Sequence, residues 1–429
     1  MTHPYKLSLK SAILISVNII LGAGLFLNTV PLAQKAGALS PFIYIFVALC
    51  MVPLIMVMGE LVKIVPGGTL FNFAQKGLST NWGFIVGWSY FVAKLASCSV
   101  MIHLFTSMAR QAIPQMALIN HVLLDTMILS LFTMLNLMNM KTGNRIQMFF
   151  ISMKTMPIAF IILTGLAKFN LINFAKSTIP FETIPLAIPL AIYAFTGFES
   201  IVALSSHIED PEKNAPTAIF GSFGIAIIIT FLLQGSFFSI INLESLANLQ
   251  SFNGITAFVQ AALPSNMQLE NIYAIFQLAV GISALGGAYG ILFSNNWNLY
   301  ALAEANTLPL SNQLKKKSQY NIATLCIVIQ SIICLLYLTM AGSQQVMLQQ
   351  INALGCTVAY TISTLAFINL TGIQNKKTLG YLALITCIFF IGTCIWGFIN
   401  NGIYGLIGFS TLVAVGIVMH MIHTKTRLS

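Results

Sequence analysis

The chain has 429 residues, of which 57% are hydrophobic and only 7% carry charge, with a formal net charge of +10. Soluble domains carry about 25% charged residues, so this composition excludes an ordinary soluble fold and points to a protein whose solvent is largely lipid. No soluble basic domain is visible, so the positive excess is assigned to loops beside anionic lipid and nucleic acid is excluded as a partner.

Apolar runs of about 20 residues, bounded by charge or by Pro/Gly clusters, predict twelve membrane helices. In chain order they cover residues 11–34, 39–65, 82–112, 119–139, 145–168, 184–206, 215–241, 270–302, 321–341, 346–373, 378–397 and 402–423. The runs are continuously apolar rather than alternating, so helices are expected instead of a β-barrel. The "AGA" of Ala36–Ala38 follows the first run as a leader-cleavage site would, but the run is long and eleven more follow, so it is read as a span.

The basic residues set the expected orientation. Alternate connections hold Lys6, Lys10, Lys63, Lys76, Lys141, Arg145, Lys213, Lys315, Lys316, Lys317, Lys376, Lys377, Lys425 and Arg427, against Lys35, Arg110, Lys168 and Lys176 on the other side. This bias places both termini in the cytoplasm and the chain in the cell membrane, and it requires an even number of spans.

The first span contains "IILGAGLF", Ile19–Phe26, where Gly22 and Gly24 flank Ala23. Two close glycines release the backbone from helical geometry and leave polar groups that lipid cannot satisfy. Glycines in membrane helices also serve close packing, and this pair alone does not separate the two readings. The third span, "WSYFVAKLASC", puts Tyr90, Lys94 and Cys98 on one helix face. The fifth carries Lys154. The sixth, "AIYAFTGFES", places Gly197 and Glu199 where a carboxylate costs about 3 kcal/mol or more, so a use beyond anchoring is expected for them. Interrupted helices in the first and sixth positions suit two five-helix units (residues 11–168 and 184–373) followed by two extra helices (378–423), the pattern of inverted-repeat transporters.

The seven cysteines lie within or at the edge of apolar runs and read as packing residues without a disulfide framework. His420 and His423 read as a pair of interfacial histidines lacking a third ligand, so no metal site is expected. No cofactor motif is present.

"GAGLF" resembles the GSGIF motif of the amino acid-polyamine-organocation superfamily of permeases. "YAFTGFESIVALSSHIEDPEKNAPTAI", Tyr193–Ile219, resembles its most distinctive segment: an aromatic, a GFE triplet, an acidic patch and a proline-asparagine-proline run. "GELVKIVPGGTLFNFAQKGL", Gly59–Leu78, and "NLYALAEANTLP", Asn298–Pro309, are similar to the loops after its second and eighth helices, and the resemblance covers at least residues 10–310. Three positions depart from it: Ala23 replaces a serine, Leu70 a tyrosine, and the arginine common near Trp297 is missing.

The resemblance implies an all-α fold of about twelve helices with broken helices one and six, and an amino acid as substrate. The amides of Ala23 and Gly24, at a helix N-terminus, are expected to hold its carboxylate, and the carbonyls of Ile20, Tyr193 and Thr196 its ammonium. Tyr193 and Phe195 match the family's aromatic gate, whereas the alternative for both is core packing. Lys154 matches a lysine that some proton-coupled members place where related symporters hold sodium, pressed against carbonyls of the first and eighth helices. Glu199 resembles a carboxylate that couples protons in acid-resistance antiporters. By the family's pattern the face of Tyr90 and Lys94 lines the side-chain end of the pocket, with Lys94 either an exposed charge or paired with Glu199 or Asp125.

The expected function is secondary amino-acid transport by alternating access, with protons as coupling ion. An exchanger without net proton movement is the nearest alternative. A non-transporting sensor is the alternative from another class, and it would be expected to carry a larger signalling tail than the six residues after His423. An enzyme is not expected, since the connections hold no phosphate loop, metal cluster or nucleophile-base pair.

Overall fold

Caps and breakers set where many of the helices start and stop. In a computed structural model, which describes residues 5–177, 181–263, 269–341 and 344–428, Ser8 accepts a hydrogen bond from the Ser11 amide at 3.3 Å and starts α1 (Leu9–Ile20). Helix resumes as α2 (Ala23–Leu27) and, past Asn28, as α3 (Thr29–Ala36). A turn through Gly37, at φ +53°, leads into α4 (Ser40–Ile64). Thr69 and Asn72 form a capping box that opens α5 (Leu70–Gly77), and Ser79 caps α6 (Thr80–Ala112).

A proline starts α7 (Pro114–Ala117), and the Asn120 side chain accepts from the Leu123 amide at 3.3 Å to start α8 (His121–Asn136). Asn139 caps α9 (Met140–Ala167) through the Thr142 amide at 2.9 Å, and Asn170 caps α10 (Leu171–Lys176). The sixth span comprises α11 (Ile184–Phe195) and α12 (Ser200–Leu204), and Pro211 occupies the first turn of α13 (Pro211–Ile240). The short α14 (Leu243–Leu246) and α15 (Gly254–Ala262) lead to α16 (Leu269–Glu304) and α17 (Ser311–Leu314). The chain finishes with α18 (Thr324–Ala341), α19 (Gln345–Leu370), α20 (Gln374–Asn401) and α21 (Tyr404–Leu428).

Among the described residues there is no strand, and ten helical stretches are long and apolar enough to cross a membrane. The stretches at His121–Asn136 and Thr324–Thr339 are apolar but shorter, and together these account for the twelve expected spans. The fourth is shorter than the expected 119–139 because Asn120 caps it and Asn139 caps the next helix, leaving only the residues between for the connection.

The helix α6 forms the axis of the bundle, packed on α16, α19, α18 and α5, while α1 lies against α13, α9 and α16. Large apolar side chains such as Leu131, Met134, Ile385, Ile388 and Val418 point outward, as lipid requires of a bundle whose core is already filled. Before α1, the Leu7 amide donates to the His207 carbonyl (2.7 Å) and the Glu209 amide to the Leu7 carbonyl (3.0 Å), which ties the chain to the turn after α12.

Candidate functional site: two facing helix breaks

The helix is lost in both spans where the glycine pattern predicts it. Leu21 (ψ 45°) and Gly22 (ψ −143°) separate α1 from α2, and among the described residues no side chain caps the amides at the start of α2. In the sixth span Thr196 is extended (ψ 132°) and Gly197 takes φ +140°, a conformation that L side chains rarely adopt. A Cβ on Gly197 would lie 2.9 Å from the Ile20 amide nitrogen, so the two breaks meet backbone to backbone. On Gly24 a Cβ would meet the Tyr193 ring at 2.9 Å, and on Gly22 it would collide with the Met101 methyl group.

Lys154 is wholly buried and donates from Nζ to the carbonyls of Asn18 and Leu21, each at 2.6 Å. These carbonyls lose their helical partners where α1 stops, and the C-terminal end of a helix favours a cation, so the ammonium fits this place. The expected direct contact with the eighth span is replaced by a relay. Asn18 donates to the Gly286 carbonyl of α16 at 2.9 Å and to Gln147 of α9 at 2.5 Å.

Glu199 is buried and surrounded by donors: Lys94 Nζ at 3.1 Å, the Tyr90 hydroxyl at 3.0 Å and the Gly197 amide at 2.8 Å. Of the alternatives left open for Lys94, the structure therefore has the pair with Glu199. Asp125 instead meets His103 at 2.8 Å. A carboxylate bound to the amide of the break residue itself fixes the course of the turn as well as balancing the lysine.

Ser97 donates to the Tyr193 hydroxyl at 3.2 Å, which holds that ring over Gly24. Phe195 lies elsewhere, its ring against Tyr44 and Phe223 with centroids 5.7 and 5.3 Å away. The Tyr193 carbonyl accepts from both the amide and the hydroxyl of Thr196. Asn352 of α19, which no motif singled out, donates to the Thr196 hydroxyl at 2.8 Å and anchors the second break from outside. Its only sequence signal, shared with Asn18, is an amide side chain inside an apolar run.

His420 departs from the interfacial reading. It is buried, stacked on Phe84 at 4.3 Å and bonded to the Thr307 carbonyl (2.8 Å) and to Asn81 (3.1 Å), a structural joint between α21 and the loop after α16. All seven cysteines are free thiols. Beyond α12, a cavity of about 730 Å³ opens between Ala203, His207, Trp297, Tyr300 and Thr69, at the end of the bundle that carries Lys6, Lys141 and Lys317.

With the fold and these breaks in place, the comparisons with known proteins assign the class. The chain belongs to the amino acid permease family, whose model matches residues 7–422. It is similar to the D-serine/D-alanine/glycine transporter of Escherichia coli O6:H1, 24% identical over 321 residues that cover 69% of this chain and 64% of that protein. It is also similar to the b(0,+)-type amino acid transporter 1 of Oryctolagus cuniculus, 23% identical over 67% of this chain and 61% of that one. An uncharacterized amino-acid permease of Schizosaccharomyces pombe is 23% identical over 69% of this chain. The matched region spans 53% of the yeast protein, so the chain covers only part of the length of these relatives.

Proposed function

We propose that the protein is a secondary transporter that moves an amino acid across the cytoplasmic membrane by alternating access, with both termini in the cytoplasm and protons as coupling ion. The observation that carries the reading is the meeting of two helix breaks, Leu21–Gly22 and Thr196–Gly197, deep in a bundle where polar backbone needs a partner. The substrate carboxylate is assigned to the amides of Ala23 and Gly24 and its ammonium to the Ile20 carbonyl, with Tyr193 closing over it. Corresponding breaks in the two halves, residues 11–168 and 184–373, support an inverted repeat.

Lys94 neutralises Glu199, so the side-chain end of the site carries no net charge and favours a neutral substrate, while Met101 beside Gly22 limits its size. The E. coli relative's name, with its small neutral amino acids, agrees with this. Lys154, held only by carbonyls among the described residues, is the assigned coupling group, and Glu199 the second candidate. The cavity beside Ala203 and Trp297 is taken as the cytoplasmic vestibule.

The test is uptake into proteoliposomes, with competition by the common amino acids and with or without an inward proton gradient. Gradient-stimulated uptake of a small neutral amino acid supports the reading. Uptake that ignores the gradient and requires amino acid inside favours the exchanger, and binding without any flux favours the sensor.

A further inference from the structure

At the far end of α6 from the vestibule, two imidazoles and a carboxylate converge from two helices. Ligand atoms of His103 on α6 and of His121 and Asp125 on α8 all lie within 4.8 Å of one another. His121 and Asp125 are four residues apart on one helix face, and His103 of the neighbouring helix meets both, its Nδ1 lying 2.8 Å from the Asp125 carboxylate. The imidazole rings stack at 4.0 Å, and the carboxylate is wholly buried. Two imidazole nitrogens and one carboxylate oxygen are the donor set of open zinc sites, in which three protein ligands leave a fourth position for water.

We propose that His103, His121 and Asp125 bind a divalent transition-metal ion of the zinc class. Metal–nitrogen distances of about 2.0–2.1 Å need donor atoms roughly 3.3 Å apart, so the His103–Asp125 pair at 2.8 Å opens slightly and the wider pairs, within 4.8 Å, close by rotation of the histidine side chains. The outer groups suit the task. Thr106 donates to Asp125 and lies 2.8 Å from His121 Nε2, so it can orient the carboxylate once the ring turns to metal. On another edge of His103 lies a cavity of about 10 Å³, shared with Ser99, Tyr337 and Gln345, the size of one water. The Tyr337 hydroxyl and the Gln345 Nε2 are buried there without a partner among the described residues.

The cluster lies near the surface of the bundle. His103 is partly exposed, and the connection leading into His121 includes Leu118, 89% exposed. A bound ion would bridge α6 to α8 about 13.5 Å along α6 from Lys94, taking a rise of about 1.5 Å per residue. The nitrogen-rich donor set excludes calcium and magnesium, which prefer all-oxygen shells.

The experiment uses the full chain, purified in detergent without a polyhistidine tag and stripped with chelator, then titrated with Co²⁺ followed by visible absorption and with Zn²⁺ by calorimetry. One saturable site with tetrahedral d–d bands that Zn²⁺ bleaches is expected, lost in His121→Ala and in His103→Ala and kept in His420→Gln. Thr106→Val should weaken binding about 10- to 100-fold. Absence of saturable binding in the wild type, or binding that persists in well-folded His121→Ala, overturns the site. Because the readout is metal binding, its failure leaves the transport reading untouched.

Discussion

Lys94 and Glu199, 105 positions apart in the chain, meet at 3.1 Å with both side chains buried. Removing either partner leaves the other charge in a dry interior, a loss of about 3–5 kcal/mol. Lys94→Ala and Glu199→Ala should each lower the thermal unfolding temperature in detergent, whereas Lys94→Met with Glu199→Gln should recover most of the loss. Single variants as stable as wild type would show that water already reaches the pair.

Gly197 admits no side chain, since its φ is +140° and a Cβ would press on the Ile20 amide. Gly197→Ala is expected to reach the membrane yet bind substrate roughly five- to 150-fold more weakly, the equivalent of about 1–3 kcal/mol of backbone strain. Gly22→Ala meets chiefly the flexible end of Met101, with the Ile19 carbonyl 3.1 Å away, so adding Met101→Ala should restore most of the uptake. Binding assays on purified protein separate this from failed insertion.

Lys154 caps two carbonyls at the end of α1. Lys154→Ala should abolish the response of uptake to a proton gradient, and Lys154→Arg should lock the protein, because guanidinium keeps its proton and has a planar fork in place of a compact head. The comparison is uptake with and without the gradient in wild type and both variants. Stimulation that survives Lys154→Ala moves the coupling site to Glu199.

Asn352 holds the Thr196 hydroxyl at 2.8 Å from a neighbouring helix. Asn352→Leu should weaken substrate binding by about 1–2 kcal/mol, roughly five- to thirtyfold, while leaving the bundle folded. An unchanged affinity would confine this hydrogen bond to packing.

The spans and both breaks were legible because lipid imposes one rule on every residue: apolar runs cross, and glycine or charge within them marks an exception. Gly22, Gly197, Lys154 and Glu199 each violate that rule, which is why sequence alone drew attention to them. Partners were less legible. Nothing local to Lys94 says that it will face Glu199 rather than Asp125, since a pairing over such separation is decided by how α6 rotates against the sixth span. Phe195 and Tyr193 lie two residues apart and look alike in sequence, yet about 200° of helical rotation sends one ring to Tyr44 and the other to Gly24. The cluster of His103, His121 and Asp125 is not legible in the sequence because its members come from two helices and only His121 and Asp125 share a spacing.

The backbone ladder between Leu7 and the turn at His207–Glu209 has a mechanical consequence. It works as a tie rod between the two interrupted spans, joining the foot of one to the foot of the other beside the cavity of about 730 Å³. With the Lys6 ammonium also fastened to the Ser206 carbonyl, a tilt of α1 under the proposed alternating access would carry the turn after α12 with it.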